Sequence, residues 1–273
     1  MSLHTARWQH DGTCERWSFV LKRASDTGAA EHEARVLQWV RPLGLLTTPT
    51  VLGANEHRLL LTRVVGTPLS GESHLWWRQT VRSLAQFHTR ARPLVQRLPQ
   101  DRRLRWPVVV ARVQRLVETV AKEGPRLSPG HQAVQAGLAV AWDRKRPRLQ
   151  QRRHTTLVHG DLRPDRVLVP QQRGEGIGLV GWEHAGEHVP TRDLVTLLTD
   201  LPAAIASRLL DDYAQARTAA GWACPRGLLS DEYSALACLR RMEQLAGALL
   251  QPIPPPVADL EAVLGALERT DEI

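Results

Sequence analysis

The 273 residues, 42% of them hydrophobic, suffice for one large domain or for two lobes around a shared cleft. No run approaches the roughly 18 apolar residues of a membrane span, and the polar start MSLHTARWQHDG lacks the apolar stretch of a signal peptide, so a cytoplasmic protein without a membrane partner is expected. The formal charge of +8, carried almost wholly by arginine, sets up a field that attracts anions and repels polycations.

The N-terminal third reads as β-rich with one helix. TARWQH and ERWSFVLKR flank the turn signal DGTC and predict a hairpin. AAEHEARVLQWVRPL sets Ala34, Leu37 and Val40 at helical spacing, and Pro42 and Gly44 end that helix. TPTVLGANEHRLLLTRVV predicts two more strands around ANEH, and GTPL (66–69) is the hinge that leaves the sheet. Past the hinge the period changes. In HLWWRQTVRSLAQFHT, Leu75, Val81, Leu84, Ala85 and His88 share one helical face. VVVARVQRLVETVAKEG and GHQAVQAGLAVAWDRK predict two further helices. Short apolar strands at 155–159, 166–169 and 177–182 interrupt them, and helices then run to the end apart from the stiff QPIPPP (251–256). The fold class is α+β and bilobal: a small β-rich lobe over residues 1–68 and a larger helical lobe over 69–273. Cys14, Cys224 and Cys238 show no CxxC spacing, which argues against a zinc site or a disulfide framework.

At the junction, within 157–185, stands VHGDL, and around it the chain resembles the aminoglycoside phosphotransferase and choline kinase family of the protein-kinase-like fold. The resemblance covers most of the chain. FVLKRA looks like the strand that carries the phosphate-binding lysine, here Lys22, and EHEARVLQWV like the helix whose glutamate pairs with it, here Glu33. LLLTRVVGTPL is similar to the hinge and SLAQFHT to the helix that follows. The order lysine, glutamate, hinge, HGD is also that of the family. It implies that Asp161 orients an acceptor hydroxyl and takes its proton, while Lys22 contacts the phosphates of ATP. Asp193, in TRDL, resembles an aspartate that braces the catalytic loop, and Trp182 is read as core.

Three departures cut against phosphotransfer. The family places a metal-binding asparagine five residues after the HGD aspartate; here it is Arg166. The family motif IDWE reads VGWE, so Gly181 replaces the metal-chelating aspartate. A guanidinium cannot ligate a cation and glycine offers no side-chain ligand, so no metal is expected, with Asp165 and Glu183 as weak alternates. Arg166 in that position is itself expected to supply the ion's charge. Only 21 residues precede Lys22 and one hairpin uses nearly all of them, so the family's first strand and glycine-rich loop are expected to be absent or supplied by a partner.

Residues 90–153 are rich in arginine, including Arg102, Arg103, Arg105, Arg144, Arg146, Arg152 and Arg153. This reads either as a solvated face or as a surface for an anionic ligand, a peptide or a partner protein. Nucleic acid is not expected, because the arginines are not interleaved with aromatics. The expectation is therefore a kinase-fold protein without Mg–ATP phosphotransfer and with no assigned cofactor. The alternative is a divergent phosphotransferase, using ATP and magnesium on a hydroxyl of a small molecule or of peptide Ser/Thr. A natural-product pathway with a partner protein would suit it.

Overall fold

The computed structural model describes residues 2–10, 13–23, 28–103, 106–149, 154–172 and 176–268, with side chains from Ser18 onward. Strands β1 (Ser2–His10) and β2 (Thr13–Arg23) form the predicted hairpin. β2 continues into β4 (Arg58–Thr62), and β4 into β3 (Val51–Ala54), giving a four-stranded antiparallel sheet in the order β1-β2-β4-β3. Among the described residues one strand precedes the one bearing Lys22. In β4 the inward residues Leu59 and Leu61 are buried, and the next residues along are not. That alternation sets one face of the sheet against α1 (Ala29–Val40), whose Ala34, Leu37 and Val40 form its buried stripe. Gly44, at φ +63°, ends this segment in the left-handed region that glycine tolerates.

After β4 the chain leaves the sheet. β5 (Thr67–Pro68) pairs with β7 (Val167–Val169), which pairs with β8 (Gly178–Leu179). The N-terminal part is also tied to this small sheet from its other side, since Thr47 exchanges backbone hydrogen bonds of 2.9 Å with Ile177 and Leu179. β6 (Thr156–Val158) and β9 (Gly186–His188) form a separate two-stranded ribbon.

Helices make up the rest: α2 (His74–Ala91), α3 (Trp106–Glu123), α4 (Pro129–Leu149), α5 (Thr191–Leu198), α6 (Ala203–Ala219), α7 (Arg226–Leu249) and α8 (Val257–Glu268). α7 lies at the centre, packed against α3, α4, α5, α6 and α8. α2 packs on α6, where Arg78 and Arg82 both reach Asp212, at 2.8 and 2.5 Å. On α2, Val81, Leu84, Ala85 and His88 are fully buried, but Leu75 is 66% exposed. The predicted face is thus too wide. Leu75 stands about 180° around the helix from Leu84, on the solvent side, while Trp77 in the same first turn is buried. No helix among the described residues is long and apolar enough to cross a membrane.

Candidate functional site

β6 leads directly into HGD (159–161), and a 3₁₀ turn over Pro164–Arg166 carries the chain on to β7. Gly160 has φ +89°, and a Cβ there would lie 2.1 Å from the His184 carbonyl oxygen, so only glycine fits. Asp193, fully buried at the start of α5, accepts the backbone N–H of His159 at 2.8 Å and of Gly160 at 2.9 Å. His88 of α2 reaches the same carboxylate at 3.1 Å and Tyr213 at 2.8 Å. Burial alone would raise the Asp193 carboxyl, but these donors outweigh it and its pKa is lowered. His159 donates to the Val180 carbonyl at 3.0 Å, and Arg192 donates to that of Gly160 at 3.1 Å. Trp182 sits beneath the turn, fully buried, with its ring 4.8 Å from that of His159. The loop bearing Asp161 is therefore held from three elements.

Across the cleft, Lys22 meets Glu33 at 2.7 Å, and Glu33 accepts the backbone N–H of Trp182 at 3.1 Å. Burial outweighs the lysine at Glu33, and its pKa is raised. Lys22 also meets Glu183, again at 2.7 Å. Arg166 closes the arrangement. Its Nη1 donates to Glu183 and to the Gly181 carbonyl, each at 3.0 Å, and its Nη2 lies 2.9 Å from Asp161. Burial alone would raise Glu183, yet the hydrogen bond and charge of Lys22, with the charge of Arg166, bring its carboxyl down to about 2. Asp161 and Glu183 are thus bridged by a guanidinium.

Gly181 is shaped to this guanidinium. Its φ is +85°, and a Cβ would lie 2.7 Å from Arg166 Nη1 and 3.3 Å from Cδ. An aspartate at 181 and an arginine at 166 would compete for the same space. Asp165 is mostly exposed and turned toward Arg163, 3.6 Å away, and Glu183 is already bound by two cations. Among the described residues no group of three His, Cys, Asp or Glu is placed to hold a metal ion. The residues present do not fit the divalent ion that the family pattern implies.

Cavities open on both sides of the loop. One, of about 500 Å³, lies between the lobes, with Val20, Leu61, Leu168 and Val180 on its walls and Lys22 and Arg166 at its polar end. The other, of about 650 Å³, lies on the far side of Asp161. Its lining is of mixed charge. Arg102, Arg112 and Arg192 share it with Asp101, from within residues 90–153, and with Glu187 of β9 and Glu243 of α7, from outside them. Of the basic set, Arg102 lines this cavity, while Arg103 donates to the carbonyls of Leu98 and Gln96 at 2.9 and 2.6 Å. Arg144 and Arg146 stand exposed late in α4. Arg105, Arg152 and Arg153 lie outside the described residues. Sequence reasoning gave Glu183 only a weak metal role, although its position two residues after Gly181 in VGWE marked it as part of the site.

A model of the phosphotransferase enzyme family (APH) matches residues 5–228, well over half of the chain. The chain belongs to this family. A search of curated proteins gives no match. Among solved structures, the GDP complex of aminoglycoside 2'-phosphotransferase-IIIa aligns with TM-score 0.66 at 14% identity, covering 99% of this chain and 93% of that one. The ADP-bound aminoglycoside phosphotransferase APH(2'')-Ib aligns at 0.62 and 11% identity, over 99% and 93% of the two chains. A choline/ethanolamine kinase family protein from Mesorhizobium loti aligns at 0.57 and 15% identity, over 93% and 82%. At these identities the likeness shows the kinase-like fold of this phosphotransferase-family chain, with its small sheet and larger helical part.

Proposed function

We propose that this phosphotransferase-family chain is a kinase-fold binding protein in which Mg–ATP phosphotransfer is silent. The observation that carries this reading is the guanidinium of Arg166 between Asp161 and Glu183. Phosphoryl transfer needs an ion to neutralise charge on the moving group and a carboxylate free to take the acceptor's proton. Here the ion's place is filled, and the carboxylate matching the base is paired at 2.9 Å. Binding of a peptide, a phosphate-bearing ligand or a partner protein then falls to the cleft, the cavity beside Asp161 and the exposed arginines of α4. A second reading is favoured by the intact HGD loop, braced by Asp193 and opening on a 650 Å³ cavity. Under it the chain is a divergent phosphotransferase acting on a hydroxyl of a small molecule or of peptide Ser/Thr. Incubation with γ-labelled ATP and magnesium or manganese, over a panel of aminoglycoside, choline and Ser/Thr-peptide acceptors, decides between them. The expected result is no transfer above that of Asp161→Ala. Transfer that Asp161→Ala lowers by about 10²–10⁴-fold would establish the second reading instead.

A further inference from the structure

We propose that Arg166 and Gly181 act together as a built-in replacement for one divalent ion, so that the inter-lobe cleft binds a nucleoside phosphate without metal. The inference rests on the binding-protein reading and names the ligand class of its cleft. Against the family pattern, arginine for asparagine adds one positive charge and glycine for aspartate removes one negative charge. The sum is two units, the charge of a magnesium ion. The geometry agrees with the arithmetic. The guanidinium lies 2.9 Å from the Asp161 carboxylate and 3.0 Å from that of Glu183, in the bridging position a cation would take. Gly181 is what lets it lie there, since a Cβ would come within 2.7 Å of Nη1.

The rest of the cleft suits such a ligand. Val20, Leu61, Leu168 and Val180 offer apolar walls for a flat ring. Lys22, Arg63, Arg163 and Arg166 line the cavity with Glu33, Asp165 and Glu183, so its cations outnumber its carboxylates. Arg163 is half exposed and only loosely paired, at 3.8 Å from Asp161 and 3.6 Å from Asp165, which leaves its fork available to a phosphate. Asp161 is the more accessible of Arg166's two carboxylate partners, with 30% of its side chain exposed against 21% for Glu183. An incoming phosphate oxygen would take its place at Nη2.

The test is calorimetric titration of the full chain with ADP, in EDTA and in magnesium. The expected dissociation constants agree within about twofold. Arg166→Asn should weaken ADP by at least about tenfold in both buffers. In Arg166→Asn with Gly181→Asp, ADP binding should return only with magnesium. Gly181→Ala, which keeps the charge and displaces the guanidinium, should weaken ADP as well and guards against misfolding of the Arg166 variant. Magnesium-dependent ADP binding by the unaltered chain would overturn the inference. So would failure to bind millimolar ADP, or Arg166→Asn binding as tightly as the original. None of these outcomes requires phosphotransfer, so the inference and the binding-protein reading fail separately.

Discussion

Glu183 joins the two lobes through its side chain alone, accepting from Lys22 with one oxygen and from Arg166 with the other. Its carboxyl is held at about 2, below the ordinary 4.5, so the folded state keeps it ionised where the unfolded chain takes up a proton. The stabilisation is therefore complete above pH 4.5 and is lost as pH falls from there toward 2. Glu183→Gln is expected to cost on the order of 2–3 kcal/mol at pH 7. The gap to the original chain should close on acidification, as read by urea denaturation at a series of pH values. A gap that stays constant down to pH 2 would show that the glutamate acts by packing and not by charge.

At the scale of elements, α2 shows how far periodicity can be trusted. Leu75 and Leu84 stand about 180° apart around the helix, and Leu84 is fully buried while Leu75 is 66% exposed. Apolar residues of one helix share a face only when the angle between them allows it. Leu84→Ala should cost about 2–5 kcal/mol, since it removes buried methyl groups and leaves a cavity. Leu75→Gln should change stability by less than about 0.5 kcal/mol. Similar losses at both positions in thermal or urea unfolding would mean that the outer face of α2 at Leu75 is covered in solution. The hinge is more closely specified: a Cβ on Gly66 would lie 2.6 Å from the Val169 carbonyl oxygen, so the chain crosses β7 where only glycine allows it.

At the scale of the whole molecule, the helical part buries histidines in their neutral form. His159 and His188 have their pKa values lowered by burial, His188 to about 3, and its ring also lies near Arg192. Below pH 6.5 the unfolded chain protonates these rings and the folded chain does not, so stability falls with acidification. For His188 the loss continues until pH reaches about 3. Folding free energy measured between pH 6.5 and 5 should therefore decline, with each such ring contributing up to about 1.4 kcal/mol per pH unit. His188→Gln should flatten that decline by one such contribution. An unchanged slope would exclude His188 from the acid response.

By itself the sequence determined the bilobal α+β layout, the hairpin whose second strand carries Lys22 and the HGD turn. These features are local: strand and helix periods, turn residues and the order of short motifs all act within a few residues. The letters at 166 and 181 were legible for the same reason: arginine and glycine stand where the resemblance places an asparagine and an aspartate. Only the tertiary structure decided what surrounds them. Arg166, Glu183, Asp161 and Lys22 meet through contacts between segments up to 161 residues apart, and the shape of Gly181 matters only once Arg166 lies across it. The cavity beside Asp161 followed the same logic, since Glu187 on β9 and Glu243 on α7 join Arg102 and Arg112 only in the folded chain. Charge in a cleft is a sum over elements that only folding brings together, and no stretch of the chain contains that sum.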